Sequence, residues 1–578
     1  MKKFRKIMAL VIAMVMTFAM GVTAFAAGHG SITINNAVEG HTYTAYKIFA
    51  GTYDATSGKL SNLDWGTEIT DAGKNALYTK YGLDGTEGKE KTAENVANAI
   101  GANDTDAIAF ANAIGTNVSG GTTGTLSGTT YTISNLDDGY YMIVDTWTKD
   151  QTSVEGKDYS LARYMIQIVG DATVNNKADK PTVEKKIDGA TDTDPDTTTK
   201  TDYNNANIGD KVPYVVTSAV PNYADYKEYY MEFSDTLSKG LTFNQAASDG
   251  TLNGVTVKIG DTTLEADAFT VTIGDYDKTN GTAISIHLKD FVSRKYAVGS
   301  KIEITYSATV NDNAVIGIDG NPNTVKLKYS NNPLDSGNGT PDDEEDWVKG
   351  ETPEDKVVTF VTELELTKVD GTDNTKKLEG AVFHIKGSRI NKVIKTGTQF
   401  VEDASGTYYK LKDNKGYTDK APTESTKAQY EDTSKKYKKQ AFSTTSEEET
   451  KNVEFEAVTG SDGIIKLTGL ATGTYTFTEI QAPAGYNLLT APITVTITEV
   501  NPTVDYDGTQ KATWKYAIGS GEATVDDDGK IQFNVENKQG STLPSTGGVG
   551  TTIFYIIGAI LVIGAGVVLV TRRRMSAN

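Results

Sequence analysis

Short runs of β-branched and aromatic residues recur along the chain, most of them bounded by Gly, Asn or Asp. Tyr140–Val144 and Tyr214–Val220 are two such runs. In Lys301–Tyr306 and Ile493–Thr498, apolar and polar residues alternate with a period of two. Alternation of this kind predicts strands that bury one face. We therefore predict an all-β chain built from tandem β-sandwiches.

Two stretches depart from this pattern. Thr92 to Val118 is rich in alanine with Asn and Asp between, which predicts two short helices inserted into the first domain. The segment 387–452 is dense in Lys, Thr and Glu, and we interpret it as a solvated insertion in the last domain rather than as a site.

Breaks in the pattern divide the chain into domains. Asn175–Thr182 and the polar, acidic stretch Asn331–Lys356 carry turn-forming residues and interrupt the strand pattern. The predicted units are a signal peptide (1–27), a first domain (28–176), a middle domain (177–345), a third domain (356–540) and a terminal segment (541–578).

Both ends of the chain carry export and anchoring patterns. Basic residues open the chain, an apolar run follows to Val22, and Ala24–Ala26 has the small-x-small form of a signal-peptide cleavage site. Ile553–Val570 is an apolar run of 18 residues, and Arg572–Arg574 follow it, which predicts a C-terminal transmembrane helix. An uncleaved N-terminal anchor and an ordinary tail-anchored protein are the alternatives.

Composition excludes several classes of function. Cysteine is absent, so disulfides, thiolate metal sites and cysteine nucleophiles are excluded. The four histidines include no pair at ligand spacing, so we expect no metal site and no serine–histidine triad, and no cofactor is indicated. The formal charge of −20 argues against binding nucleic acid through its phosphates.

The segment before the apolar run reads Leu543-Pro544-Ser545-Thr546-Gly547. Together with the span and the basic tail, it resembles the sorting signal that sortases recognise on Gram-positive surface proteins. The resemblance implies that a sortase cysteine attacks the Thr546 carbonyl and that an amine then resolves the acyl-enzyme. Pro544 favours an extended backbone, and Gly547 has no side chain beyond the bond that is cut.

Three polar residues of the third domain lie on predicted core faces. Lys368, Glu479 and Asn537 each stand in phase with alternate apolar residues of their strands, although a lysine is seldom buried without a partner. Burial lowers the pKa of a lysine and raises that of a glutamate. A neutral amine could then attack the Asn carbonyl while the acid moves protons and ammonia leaves. The alternative is a buried Lys–Glu ion pair capped by Asn.

The third domain resembles the CnaB-type domains of Gram-positive pilins and adhesins. The resemblance is carried by Leu378–Phe383, Tyr475–Glu479, Pro483–Tyr486 and Val535–Lys538. It implies an immunoglobulin-like, Cna-type sandwich in which Lys368 and Asn537 form an intramolecular isopeptide bond with Glu479 as the promoting acid.

The middle domain resembles the isopeptide-forming middle domain of pilus backbone subunits. The resemblance is carried by Phe233–Leu241 and Tyr329–Pro333. In that family the acid is an aspartate, which maps to Asp235. Strand parity favours Lys185 and Asn323 as the second crosslinked pair. Lys186 and Asn321 stay open as alternatives, because a β-bulge reverses parity.

The first domain resembles pilin N-terminal domains through Tyr43–Phe49 and Leu136–Tyr141, without an obvious crosslink. We interpret its Lys47 and Asp145 as solvated surface residues.

Backbone pilins also carry a lysine at the join of their first two domains, which accepts the threonine of the next subunit. This lysine maps to Lys177, with Lys180 as second choice. The Tyr-Pro pair that precedes the lysine in the family is replaced here by Asn175-Asn176.

The whole chain therefore resembles the major subunit of a sortase-assembled pilus, a structural protein rather than an enzyme. The resemblance implies secretion, anchoring to the cell wall, and a role in adhesion. The implied partners are a pilin-specific sortase, identical subunits and peptidoglycan, and minor pilins and a host surface ligand stay open. By analogy with disulfides, each crosslink would contribute about 4–5 kcal/mol. A non-polymerised wall-anchored adhesin is the alternative function, and a secreted enzyme with paired carboxylates is a more distant one.

Overall fold

The structure is a computed structural model of the chain. It describes residues 30–54, 59–100, 104–147, 160–168, 170–176, 180–188, 200–226, 228–245, 253–333, 349–388, 392–413, 415–442, 447–448, 452–500, 514–519, 523–526, 528–539, 557–565 and 572.

Several predictions about the chain ends and the first domain join lie outside this range. They are the signal peptide (1–27), Lys177 and the sorting motif Leu543–Gly547. Of the predicted span 553–570, residues 557–565 are described, and they are helical. Within the described part of the chain, no helix has the length and apolarity needed to cross a membrane.

The first domain is a sandwich whose sheets have the strand orders β5-β6-β1-β9 and β3-β2-β7-β8, with β4 paired to β2. Its elements are β1 (Gly30–Asn35), β2 (His41–Asp54), β3 (Lys59–Trp65), α1 (Asp71–Lys80), α2 (Ala93–Ala99), α3 (Asp104–Ile114), β4 (Thr122–Thr123), β5 (Thr125–Ser127), β6 (Thr130–Leu136), β7 (Gly139–Trp147), β8 (Arg163–Ile168) and β9 (Ala172–Asn175).

The helices cover the outer face of one sheet of this sandwich. β7 is apolar on both faces: Tyr141 and Ile143 pack between the sheets, while Met142 and Val144 pack under the helices. The two helices predicted within 92–118 are confirmed as α2 and α3. Helix α1 was missed because only Gly73 and Leu77 are buried in it, which leaves little apolar periodicity in its sequence.

The middle domain has two larger sheets with the orders β11-β10-β13-β20-β16-β17 and β12-β23-β21-β14-β19-β18, with β15 on β20 and β22 on β21. Its elements are β10 (Glu184–Asp188), β11 (Lys200–Thr201), β12 (Tyr203–Asn205), β13 (Lys211–Ala219), β14 (Met231–Leu237), β15 (Leu241–Phe243), β16 (Thr256–Ile259), β17 (Thr262–Thr263), β18 (Phe269–Ile273), β19 (Thr282–Leu288), α4 (Phe291–Arg294), β20 (Lys301–Val310), β21 (Asn321–Ser330), β22 (Lys349–Glu351) and β23 (Asp355–Phe360).

The third domain has the sheet orders β32-β27-β34-β24-β39-β38, with β25 on β24, and β31-β28-β33-β26-β35-β36-β37. Its elements are β24 (Thr362–Asp370), β25 (Asp373–Lys377), β26 (Val382–Ser388), β27 (Lys392–Thr396), β28 (Thr398–Glu402), β29 (Tyr409–Lys410), β30 (Tyr417–Thr418), a 3₁₀ turn (Lys427–Gln429), β31 (Tyr437–Ala441), β32 (Glu447–Glu448), β33 (Asn452–Val458), β34 (Ile464–Leu470), β35 (Gly473–Gln481), β36 (Ile493–Val500), β37 (Trp514–Ile518), β38 (Ala523–Val525) and β39 (Ile531–Asn537).

The predicted alternation places side chains as expected. In β20, Ile302 and Ile304 are fully buried, while Lys301 is exposed and Glu303 between the two isoleucines is partly exposed. In β36, Val495 and Ile497 enter the core of the third domain. The sequence prediction of half-buried strands is therefore confirmed in both runs.

The predicted boundary between the middle and third domains is wrong. β22 and β23, which follow residue 345, pair with β21 of the middle domain, so this sandwich extends to Phe360. The acidic stretch obscured the short apolar run that follows it. Val357 packs in the core of the middle domain and Val358 in that of the third, so β23 belongs to the packing of both.

The insertion 387–452 is more integrated than predicted. β27 pairs with β34 and β28 with β33, so its edges are strands of the two main sheets. Between them Tyr417 stacks on Phe400 with a centroid distance of 4.0 Å, and Tyr417 and Tyr430 are buried. Aromatic residues spaced among the lysines build this small cluster.

Candidate crosslinking sites

The third domain brings Lys368, Glu479 and Asn537 together in its core. β24 and β39 are parallel neighbours in one sheet, with Lys368 opposite Val535 and Asp370 opposite Asn537. Glu479 comes from β35 in the facing sheet. Lys368 is 0% exposed, Asn537 1% and Glu479 4%, so all three polar groups lie in an apolar interior.

Glu479 contacts both of its partners. Its Oε1 lies 4.0 Å from Lys368 Nζ, and Asn537 Nδ2 donates to Oε1 at 2.9 Å and to Oε2 at 3.0 Å. The backbone N–H of Leu489 also donates to Oε2, at 2.9 Å. Lys368 Nζ donates to the carbonyl of Val535 at 2.7 Å, which holds the amine beside β39.

Burial sets the protonation of this group. Desolvation lowers the pKa of Lys368 to about 8, against the opposing attraction of Glu479, and it raises the pKa of Glu479. Both shifts favour the neutral forms, an amine with a free lone pair and a protonated acid. Asn537 Oδ1 is buried and accepts no hydrogen bond within the described part of the chain. Its carbonyl is therefore not held by another donor.

The middle domain assembles a second group from four strands. Asp235 on β14 and Asn323 on β21 belong to one sheet, where β14 and β21 are antiparallel neighbours. Lys185 on β10 belongs to the facing sheet, in register with Val216 of β13. Lys185 and Asn323 are 0% exposed, and Asp235 is 2% exposed.

A tyrosine connects these three side chains. Lys185 Nζ contacts Asp235 Oδ2 and Tyr306 Oη. Tyr306 Oη donates to Asp235 Oδ2 at 2.5 Å and accepts from Asn323 Nδ2 at 3.0 Å. Burial lowers the pKa of Lys185 and raises that of Asp235, although each attracts the charge of the other. The pair again favours a neutral amine and a protonated acid.

The alternatives Lys186 and Asn321 occupy different environments. Lys186 is half-buried on the opposite face of β10, where it contacts Asp202, and this hydrogen bond contributes to raising its pKa. Asn321 is buried but fully bonded: its Oδ1 accepts from Val315 N at 2.8 Å, and its Nδ2 donates to Val315 O at 3.0 Å. The geometry therefore favours Lys185 and Asn323.

Sequence reasoning missed Tyr306, although a signal was present. The alternating run Lys301–Tyr306 puts Tyr306 in phase with Ile302 and Ile304, which face the core. A buried tyrosine hydroxyl needs a hydrogen-bond partner, and that requirement could have directed attention to the Lys185 site.

In the first domain, the interpretation of Asp145 as a surface residue is wrong. Asp145 is 1% exposed, and its Oδ2 lies 2.9 Å from His41 Nδ1 and accepts from Ala162 N at 3.2 Å. Burial raises its pKa to about 6. The partner His41 is on β2, far away in sequence, so no local pattern indicated the pair. Lys47 is not a solvated surface residue either: 14% of its side chain is exposed, and its Nζ lies 3.3 Å from Asp137 Oδ2 and 5.6 Å from the centroid of the Tyr141 ring.

The join of the first two domains is anchored next to the predicted polymerisation lysine. Asn176 N donates to Asn35 O at 2.9 Å, and its Oδ1 accepts from Tyr164 Oη at 2.8 Å. Lys177 itself lies outside the described residues, while Lys180 is described and partly buried.

Comparisons with known proteins identify two of the domains and the C-terminal anchor. Residues 208–333 match the Cna-B-like domain of Gram-positive pilin backbone subunit 2, a range that contains Asp235, Tyr306 and Asn323. Residues 423–512 match the SpaA prealbumin-like fold domain, and 535–576 match the LPXTG cell wall anchor motif. These matches show a backbone pilin of Gram-positive pili with an LPXTG cell wall anchor.

This pilin resembles streptococcal proteins over most of its length. It is 28% identical over 420 residues to the trypsin-resistant surface T6 protein of Streptococcus pyogenes serotype M6, covering 69% of the pilin and 70% of that protein. The solved T6 backbone pilin matches with a TM-score of 0.50 and 17% identity over 90% of the pilin and 100% of that chain. The major pilin SpaD of Corynebacterium diphtheriae matches with a TM-score of 0.42, 16% identity, and coverage of 90% and 99%.

The likeness to the T6 backbone pilin confirms the predicted fold class of tandem β-sandwiches. The anchor motif and the surface relative place this backbone pilin on the cell wall of a Gram-positive bacterium. It is a structural protein, and its anchor implies processing by a sortase.

Proposed function

We propose that this backbone pilin staples two of its own sandwiches with Lys–Asn isopeptide bonds before or during assembly into a covalent fibre. The observation that carries the proposal is the recurrence of one arrangement in two domains. In each, a lysine from the first strand, an asparagine from a late strand and a carboxyl group share one buried, apolar interior.

The reaction needs no external reagent. The lone pair of Lys Nζ attacks Cγ of Asn, forming the new C–N bond, while the carbonyl π pair moves to Oδ1. The pair then returns as the Cγ–Nδ2 bond breaks. One proton passes from Nζ to Nδ2, with Glu479 or Asp235 as carrier, and ammonia leaves. The carboxyl group of Glu479 or Asp235 is regenerated. The lysine and the asparagine are consumed in the new amide, so each domain performs a single turnover.

The bonds would change how the fibre carries load. In the third domain the proposed bond joins β24 to β39, the first and last strands of the sandwich, so a force applied at the chain ends passes through covalent bonds. The hydrogen bonds between the strands are then bypassed. Without cysteine, such staples are also independent of the redox state.

We propose further that the sortase joins Thr546 of one subunit to Lys177 of the next, with Lys180 as second choice, and that the finished fibre is attached to peptidoglycan and serves adhesion. The sequence at the join supports this choice, because Lys177 directly follows Asn176, which is hydrogen-bonded to Asn35 of β1. Minor pilins and a host ligand are partners that such a fibre could carry.

The middle-domain bond has a matched test in two asparagines of one strand. In the full-length chain, Asn323→Ala should abolish the branched tryptic peptide that contains Lys185, since the electrophile is removed. Asn321→Ala should retain that peptide, although the loss of its hydrogen bonds costs about 1–3 kcal/mol in the free energy of unfolding. Mass spectrometry of the digests reads out both. A branched peptide that survives in Asn323→Ala and disappears in Asn321→Ala would contradict the assignment.

A further inference from the structure

Tyr306 occupies the centre of the middle-domain site. Its hydroxyl contacts Lys185 Nζ, donates to Asp235 Oδ2 and accepts from Asn323 Nδ2, so it touches the attacking nitrogen, the acid and the leaving nitrogen at once. Its ring centroid lies 4.9 Å from Lys185 Nζ. The ring is fixed by Tyr214, the paired residue on β13, at a centroid distance of 5.4 Å.

We propose that Tyr306 is a catalytic residue of the middle-domain crosslinking reaction, relaying the proton from Asp235 to the leaving nitrogen of Asn323. This proposal rests on the proposed Lys185–Asn323 bond and assigns a role beyond the promoting acid. Among the described residues, the hydroxyl of Tyr306 is the group that both donates a hydrogen bond to Asp235 and accepts one from Asn323 Nδ2.

The relay moves one proton in total and needs no other reagent. After Nζ has attacked Cγ, Tyr306 gives its hydroxyl proton to Nδ2, which has become a basic amine, and takes the proton of the Asp235 carboxyl group in exchange. The nitrogen of Lys185, which carries an extra proton after the attack, gives it to the Asp235 carboxylate that it contacts. The Cγ–Nδ2 bond breaks, its pair stays on nitrogen, and ammonia leaves. Tyr306 and Asp235 end in their starting protonation states.

The comparison with the third domain explains why a relay is needed here. Glu479 bonds directly to Asn537 Nδ2 through both oxygens. Asp235 is shorter by one methylene, and the hydroxyl of Tyr306 bridges it to Asn323 Nδ2. Burial beside Asp235 raises the pKa of Tyr306 well above its ordinary value, so the hydroxyl keeps its proton at neutral pH.

A role in packing alone makes a different prediction. Tyr306 also packs against Phe243 at a centroid distance of 5.8 Å, and its ring is part of the core of the middle domain. Tyr306→Phe retains the ring and removes only the hydroxyl. Tyr230→Phe is the matched control, because Tyr230 is buried in the same domain and its hydroxyl donates to another carboxylate, Glu232, at 2.5 Å.

The test follows bond formation in time. The full-length chain and both variants are made by cell-free synthesis, stopped at intervals in acid, and digested with trypsin. Mass spectrometry then measures the branched peptide joining Lys185 to Asn323. The Lys368–Asn537 peptide of the same molecules serves as an internal reference. We expect Tyr306→Phe to form the middle-domain bond about 100-fold more slowly, while Tyr230→Phe forms it at the parent rate.

The outcomes separate the two proposals. If the parent forms the bond and Tyr306→Phe forms it equally fast, the relay is wrong and the crosslink stands. Equal slowing in Tyr306→Phe and Tyr230→Phe would also overturn the relay, because the loss of any buried hydroxyl would then suffice. If the parent chain itself forms no Lys185–Asn323 peptide, the crosslink and the relay fall together.

Discussion

Replacing Lys177 and Lys180 together by alanine is expected to eliminate the ladder of detergent-resistant pilin polymers in cell-wall extracts. The reason is that an acyl-enzyme at Thr546 needs an amine, and the segment between the first and middle domains would no longer supply one. Lys177→Ala alone should have the same effect, since Lys177 directly follows the anchored Asn176. Immunoblots after boiling in detergent measure the ladder, and the monomer should accumulate instead.

The control for this experiment is Lys200→Ala. Lys200 lies on β11, opposite Asp188 at the far end of β10 from the join, and its side chain is 43% exposed beside Asp188. Its removal should leave the ladder intact. Polymers that persist when Lys177 and Lys180 are both replaced would contradict the assigned joint and direct the search to lysines elsewhere.

The second large effect is expected from Glu479→Gln. The glutamine preserves the volume of the side chain but cannot carry the proton from Lys368 to Asn537, so the third-domain bond should not form. The chain should keep the ammonia that the parent loses from this domain. The proposed bond closes a loop of about 170 residues, and its loss should lower the free energy of unfolding of this domain by about 5 kcal/mol.

A buried carboxylate elsewhere in the third domain gives the matched control. Glu363 is 5% exposed, contacts Thr468 and lies 3.1 Å from Lys466, away from the lysine–asparagine pair. Glu363→Gln should therefore destabilise the domain without preventing bond formation. A branched Lys368–Asn537 peptide at the parent level in Glu479→Gln would show that the acid is dispensable.

Strand parity predicted much of the two candidate sites. Because side chains alternate across a strand, the neighbours of Lys368, Glu479 and Asn537 were enough to place all three on core faces. For the second site, parity favoured Lys185 with Asn323, and Lys186 and Asn321 stayed open because a β-bulge reverses parity. The pairing of β10 with β13 has no register shift from Glu184 to Ile187, and Lys185 lies on the core face.

The features that were missed depend on contacts between distant segments. The hydroxyl of Tyr306 contacts side chains from three other strands, and Asp145 pairs with His41, which lies on a strand far away in sequence. β23 was missed because its apolar run adjoins an acidic stretch, yet it packs in two cores. Local periodicity identifies a strand and its faces, while partners are set by the topology.

The most direct measurement is mass spectrometry of the full-length chain, intact and after trypsin digestion. The proposed account predicts a chain lighter than its sequence by two molecules of ammonia. It also predicts two branched peptides, one joining Lys185 to Asn323 and the other joining Lys368 to Asn537. A chain at its full sequence mass, in which these four residues appear only in linear peptides, would contradict it.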